Sequence, residues 1–176
     1  MSWWRWLTGR SPEKAPPAQI PLPREALPER KPLEIVTPRP VVMDTPREPR
    51  GLRNNNPGNI RHGSKWQGMA QVQSDPDFVT FIAPEWGIRA MARLLLNYQR
   101  NYGLHTVRQI ITRWAPPVEN QTEAYVRSVA TALGVDPDQE IDVWARLPQL
   151  IPAIIRHENG KQPYSADLIS QGIGLA

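Results

Sequence analysis

Residues 53–61, which read RNNNPGNIR, are the part of this chain whose side chains are best suited to binding a polar ligand. Four asparagines with a proline and a glycine cannot form a core element, and Pro57 and Gly58 suit the centre of a type II turn. A rigid loop explains one such unit but not three consecutive asparagines. Because each neutral amide offers two donors and an acceptor, the surplus amides indicate a site for hydroxyl- and acetamido-rich ligands such as sugars.

Glu158 is the first candidate for acid–base chemistry. It follows the densest apolar helical stripe of the chain and precedes Asn159 and Gly160. Hydrocarbon on one side of a carboxyl group disfavours its ionised form, and a glycosidase needs a protonated acid to cleave its substrate. A solvated glutamate at a helix end is the alternative. The stripe comprises Leu147, Leu150, Ile151, Ile154 and Ile155.

Other titratable residues are weaker candidates. Glu85 competes with Glu158, but an acid beside Pro84 in a first helical turn is ordinary capping. Asp167 either orients a water molecule or serves as a turn acid, and His157 lies about 100° around the helix from Glu158, which favours a structural role. We predict no metal and no cofactor, since the histidines are scattered and the chain has no cysteine for a thiolate site or disulfide.

Several segments resemble enzymes that cleave peptidoglycan. Residues 150–175, LIPAIIRHENGKQPYSADLISQGIGL, resemble the catalytic helix of goose-type lytic transglycosylases and the Ser- and Gly-containing loop that follows it. Residues 120–129 are similar to their Tyr-Val helix, and the asparagine turn with Trp66 resembles a loop of flagellar-type glucosaminidases. Residues 52–176 as a whole resemble a family of phage virion proteins that carry this turn. Because the glutamate helix comes first in those enzymes, the resemblance implies a circularly permuted lysozyme-like core.

The resemblance also implies roles for individual residues. Glu158 would protonate the oxygen between N-acetylmuramic acid and N-acetylglucosamine and then act as a base toward the muramoyl 6-hydroxyl or water. The remaining candidates would bind the glycan, and the tryptophans among them would stack on sugar rings. A virion protein that only binds glycan or a partner protein is the alternative, because a fold does not fix an activity. The glycan-binding candidates are Asn55, Asn56, Asn59, Trp66, Trp86, Tyr125 and Asp167.

The elements that would position these residues are mostly helical. Apolar spacing and stop signals predict helices from Pro84 to Gly103, from Thr106 to residues 116–117, and between an Asn120 capping box and Gly134. The stripe before Glu158 predicts a last helix that begins near Pro152 or is kinked there. Short strands at 65–68 and 78–82 complete a predicted α+β domain, dominated by helices, with a small β lobe.

Residues 1–50 differ in composition from the remainder. They hold 11 of the 20 prolines, which favours an extended polyproline segment, and they carry a net charge of +3 against +1 for the rest. The sequence therefore predicts a tail over 1–50 and a globular domain over 51–176. Since the excess positive charge lies mostly in the tail, we expect no nucleic-acid groove in the domain.

The first residues form an aromatic cluster, Trp3, Trp4, Arg5 and Trp6. It is too short for a membrane span or a signal peptide. Tryptophan and arginine together suit either a membrane interface or a groove on a virion protein. We therefore expect an anchor, joined by a semi-rigid spacer of roughly 100 Å, that attaches the domain to a phage virion or membrane while it acts on periplasmic murein.

Overall fold

The computed structural model describes residues 47–115 and 121–176, so the predicted anchor and most of the proline-rich tail lie outside the described residues. This part is predominantly helical, as predicted. Its elements in chain order are α1 Arg50–Arg53, α2 Pro84–Tyr102, α3 Val107–Trp114, α4 Gln121–Leu133, α5 Val143–Asn159 and α6 Ala166–Gly174.

Helix α5 lies at the centre and packs against α1, α2, α4 and α6. It begins at Val143, capped by the Asp142 carboxylate, so the predicted start near Pro152 is wrong. Burying each Leu or Ile of its stripe stabilises the fold by about 1.5–3 kcal/mol, which offsets the roughly 3 kcal/mol cost of an interior proline. Pro148 is exposed and Pro152 half-buried, so water can reach this face of the helix.

The ends of α2 and α4 confirm the predicted stop signals. Helix α2 begins at Pro84 and is followed by Gly103, which has a left-handed φ of 63°, and Gly134 follows α4 with a φ of 66°. Thr106 opens α3 with a full capping box to Gln109. The predicted cap at Asn120 lies outside the described residues.

The predicted β lobe has no regular strand within the described residues. Residues 60–82 are instead held by isolated antiparallel bridges at Arg61–Phe78 and Met69–Phe81. Side-chain amides supplement the few backbone bonds: Gln73 donates to the Ala70 and Thr80 carbonyls and accepts from the Thr80 N–H. The prediction of regular strands was wrong: backbone bonds such as that from the Ile82 N–H to the Gly68 carbonyl join the two segments, but they form only isolated bridges, and side-chain bonds supplement them.

The segment after Glu158 also differs from expectation. Part of the predicted loop is helix α6, in which the Ser165 hydroxyl accepts from the Leu168 N–H and which packs against α2 and α5. Gly172 permits the close approach to α2, because a Cβ there would lie 2.5 Å from the Ile88 side chain. In the described part of the chain, no helix is both long and apolar enough to cross a membrane.

Candidate active site

Glu158 lies in the last turn of α5, and its half-buried carboxylate accepts hydrogen bonds from three other parts of the chain. Trp114 Nε1, at the end of α3, donates to Oε1 at 3.1 Å, and the Tyr125 hydroxyl, on α4, donates to the same oxygen at 3.0 Å. Asn59 Nδ2, from the loop after α1, donates to Oε2 at 3.1 Å. Oε1 therefore has both lone pairs occupied, whereas Oε2 retains one.

Tyr125 contacts this carboxylate directly, and His157 contacts Tyr125. Burial raises the pKa of Tyr125 well above its usual value, and the adjacent Glu158 charge raises it further, so the hydroxyl remains a donor. The His157 ring stacks on Tyr125, with centroids 3.5 Å apart and planes 11° apart. Partial burial lowers the pKa of His157, opposed by the Glu158 charge. His157 therefore packs against a residue of the site, which agrees with the structural role expected from its sequence position.

Trp114 is the member of this site that sequence reasoning missed. Its place on the apolar face of α3 suggested only a core residue, and it is 8% exposed. The available signal was chemical: an indole has one N–H donor, which needs an acceptor when the ring is buried. Here that acceptor is Glu158.

The predicted turn at residues 56–59, which lies against Trp114, is present but has a different conformation from the one expected. The Asn59 N–H donates to the Asn56 carbonyl at 2.9 Å, which closes a turn around Pro57 and Gly58. Gly58 does not have the positive φ of a type II turn; Asn55 and Asn59 have φ values of 51° and 49° instead. Gly58 is needed for space, since a Cβ there would lie 2.9 Å from the Trp114 ring.

The first three asparagines stabilise the loop. Asn56 is fully buried; it donates to the Ile60 and Val79 carbonyls at 2.8 Å each and accepts from the Ile60 N–H. Asn55 Nδ2 donates to the Phe81 carbonyl at 3.0 Å. Asn56 has no surface to offer a ligand in this conformation, whereas Asn55 is half-buried and remains a candidate for binding a glycan.

The Asp75 carboxylate also holds this loop through contacts with Arg50 and Asn54, a group that we call the Asp75 clamp. Asp75 accepts from the Arg50 guanidinium, from Asn54 Nδ2 at 2.8 Å and from the N–H groups of Asp77 and Phe78. The hydrogen bond from Arg50 lowers the pKa of Asp75, and the other donors lower it further against the opposing effect of burial. Asp75 is thus a stable acceptor at neutral pH.

Behind Asn59 the chain passes very close to α5. A Cβ built on Gly51 would lie 2.7 Å from Asn59 Oδ1 and 2.6 Å from Asn159 Oδ1. Both oxygens are buried without a hydrogen-bond partner, whereas Asn159 Nδ2 donates to the Pro57 and Ile155 carbonyls. Two unpaired amide oxygens therefore face the same small space beside the carboxylate of Glu158.

The remaining candidates lie outside the Glu158 hydrogen-bond network. Trp66 is half-buried with an unpaired Nε1, and the Trp86 indole packs against Gly68, where a Cβ would lie 2.2 Å from its Cγ. Glu85 occupies the first turn of α2, and Asp167 is an exposed acid in the first turn of α6. A favourable interaction with the N-terminal end of a helix is therefore sufficient to explain the position of each acid. Across residues 47–115 and 121–176, no group of three His, Asp or Glu side chains is arranged to hold a metal ion.

Comparison with known proteins supplies one informative match. The chain is 45% identical over 127 residues to Protein P5 of Pseudoalteromonas phage PM2, and the aligned region covers 70% of this chain and 79% of that protein. No family model matches the chain. Identity at this level over most of both proteins reflects common descent.

Proposed function

This chain belongs to the family of Protein P5 of phage PM2, and we propose that it is a phage virion protein whose domain cleaves peptidoglycan glycan strands. The observation that carries the proposal is the Glu158 carboxyl group, half-buried and fixed by donors from a loop, α3 and α4. Fixing a carboxyl group in a defined orientation is what general acid catalysis requires. Membership of a phage protein family supports a location in the virion. The polar asparagine loop supports a glycan as the substrate.

The hydrogen bonds assign different tasks to the two carboxyl oxygens. Trp114 and Tyr125 occupy both lone pairs of Oε1, and Trp114 Nε1 can only donate. The proton for the leaving group is therefore carried on Oε2. It passes to the glycosidic oxygen as the bond from C1 of N-acetylmuramic acid breaks, which releases N-acetylglucosamine with a free 4-hydroxyl.

The second half of the reaction uses the same carboxylate as a base. Oε2 accepts the proton of the muramoyl 6-hydroxyl while that oxygen bonds to C1, which gives a 1,6-anhydro sugar and restores the acid. Hydrolysis with two carboxyl groups would need a second acid across the sugar. The resemblance of residues 150–175 to lytic transglycosylases favours the transglycosylase reaction over the hydrolase.

The substrate would meet the exposed side of this site. Asn59 is half-buried beside Oε2 and is the asparagine of the turn best placed to meet an acetamido group. Trp66 and Trp86 are half-buried and remain candidates for stacking on sugar rings, and Asp167 remains a candidate for an outer subsite. Tyr125 is 3% exposed, so we assign it to orienting Glu158.

The test is digestion of purified sacculi by the full chain, with products identified by mass spectrometry. Glu158→Gln removes the proton supply at almost constant shape, so it should reduce release of soluble anhydro-muropeptides by about 100-fold or more. Glu85→Gln is the matched control and should retain most activity. Greater loss in Glu85→Gln would reverse the assignment, and hydrated products would indicate a hydrolase.

A non-catalytic virion protein is the second candidate, and one observation favours it. Three donors around Glu158 stabilise a carboxylate, which also suits a structural junction between the loop, α3 and α4. On this reading the wild-type chain releases nothing from sacculi, yet it still sediments with them or with virion proteins.

Attachment to the virion is proposed for the tail. The aromatic cluster Trp3, Trp4, Arg5 and Trp6 would bind a virion protein or the membrane interface. Replacing the three tryptophans with alanine should abolish association with the assembled particle and leave sacculus digestion unchanged. Equal association of the wild-type chain and the triple variant would exclude this role.

A further inference from the structure

The unpaired amide oxygens beside Gly51 suggest that Asn59 has a second orientation. An Asn amide has almost the same shape when its oxygen and nitrogen exchange places, and its terminal torsion is roughly two-fold. Rotation by 180° would bring Oδ1 to the position from which Nδ2 now donates to Glu158 Oε2 at 3.1 Å. It would also turn Nδ2 toward Asn159 Oδ1, across the space kept open by Gly51.

Each orientation fits one protonation state of Glu158. When Oε2 is ionised it needs a donor, which Asn59 Nδ2 supplies. When Oε2 carries a proton it becomes a donor, and among the side chains that hydrogen-bond to Glu158 the Asn59 amide oxygen is the acceptor next to Oε2. In the second state Nδ2 also faces the space that Asn159 Oδ1 faces, so both of the buried oxygens that lack a partner would have a donor on their side.

We infer that Asn59 is a positioning residue whose amide rotates with the protonation of Glu158, with Asn159 as the partner of the rotated form. The inference rests on the proposed role of Glu158 as a proton donor. Rotation gives Oε2 a hydrogen-bond partner in both protonation states of the substrate-free site, and the glycosidic oxygen replaces Asn59 as the acceptor when the proton is transferred. Two titratable groups also face Glu158: Tyr125 on α4, which stays protonated, and His157 on α5.

Glu158→Gln provides a fixed mimic of the protonated state. Its oxygen must face Trp114 and Tyr125, so its NH₂ group replaces Oε2 and requires the rotated Asn59. In NMR spectra of the full chain we expect the nuclear Overhauser effect from the Asn59 side-chain amide protons to the Gly51 Hα protons to strengthen in Glu158→Gln. The same change should develop in the wild-type chain on acidification, and Glu85→Gln should match the wild type.

Asn59→Asp tests the inference through stability. Aspartate tolerates the left-handed backbone at this position but only accepts hydrogen bonds when ionised. Facing the Glu158 carboxylate, it should lower Tm at neutral pH by several degrees. The double variant Asn59→Asp with Glu158→Gln should recover that loss, since the new acceptor meets the amide donor.

Two results would overturn the inference: identical Asn59 amide spectra in the wild-type chain and Glu158→Gln, or no recovery in the double variant. Neither measurement needs enzyme activity. Rotation without sacculus cleavage would therefore leave the inference intact and reject the glycosidase, whereas cleavage without rotation would reject the inference alone.

Discussion

At the scale of single residues, one side-chain type performs different tasks according to its surroundings. Asn56 is enclosed and uses both its donors and its acceptor on the backbone, whereas Asn59, three residues later, faces the Glu158 carboxylate. The amides differ only in what folds against them. Burial therefore decides whether an asparagine supports the loop or contributes to the site.

Tyr125→Phe isolates the contribution of one donor to Glu158. The change removes the hydroxyl but keeps the ring that stacks on His157. Because a small displacement of a catalytic group costs up to about 100-fold, we expect sacculus digestion to fall by at least about tenfold. Loss of a hydrogen bond to a charged group should lower the free energy of unfolding by about 1.5–3 kcal/mol.

Tyr102→Phe is the matched control for that measurement. The Tyr102 ring is 52% exposed, and its hydroxyl makes no hydrogen bond to the Glu158 site. Both activity and Tm should stay at wild-type values. If Tyr125→Phe were equally neutral, the Tyr125 hydroxyl would have no part in orienting Glu158.

At the scale of elements, the loop after α1 is held by the Asp75 clamp. The folded pKa of Asp75 lies below its usual value. Its contribution to stability is therefore fully present above about pH 4, the ordinary Asp range, and declines as the pH falls below it. Asp75→Asn should lower Tm at pH 7 by a few degrees, equivalent to roughly 1.5–3 kcal/mol, and weaken the loss of stability on acidification.

Asp77→Asn distinguishes the clamp from a general charge effect. The Asp77 carboxylate is exposed and accepts from Arg50 at 2.8 Å, and such surface ion pairs contribute about 0–1 kcal/mol. Thermal unfolding followed by circular dichroism between pH 3 and 8 compares the two variants. Equal losses would show that Asp75 has no special role.

The close contact between α1 and α5 depends on the absence of a side chain at Gly51. Gly51→Ala would place a methyl group within 2.9 Å of Asn159 Oδ1, Asn59 Oδ1 and the Asn56 carbonyl. Overpacking of this kind costs about 1–3 kcal/mol, and displacing Asn59 should reduce sacculus digestion as well. Gly174→Ala, which has no atom within 4 Å of the added carbon, should leave Tm and activity unchanged.

Local signals determined how much of the fold could be predicted. Pro84, Gly103 and Gly134 act within one helical turn, so their effects on α2 and α4 were readable from sequence. The start of α5 was not, because the burial of its stripe against four helices outweighs the local effect of Pro148 and Pro152. Regular strands were predicted where none form for a similar reason, since Asn56 and Gln73 pair with carbonyls that a local reading assigns to a strand ladder.

At the scale of the whole molecule, the site depends on contacts between residues that are far apart in the sequence, and local sequence patterns do not reveal such contacts. Asn59 and Glu158 are 99 positions apart, and Trp114 is 44 positions from Glu158. Residue chemistry and the resemblance to lytic transglycosylases nominated Asn59, Tyr125 and Glu158, which the structure brings together. Trp114 was absent from that set because an apolar helical face explained it fully.

The N-terminal boundary of the globular domain can be located by deletion. The sequence predicts a boundary at residue 50, but Arg50 begins α1 and pairs with Asp75 and Asp77. A chain that lacks residues 1–46 should keep the full helical circular dichroism and Tm of the domain, whereas one that lacks residues 1–50 should fold but melt several degrees lower. Arg50→Gln in the shorter-deletion chain should reproduce that loss, because the clamp rather than chain length sets it. If both deletions melted alike, Arg50 would be dispensable, and if both unfolded, the proline-rich segment would contribute to the core after all.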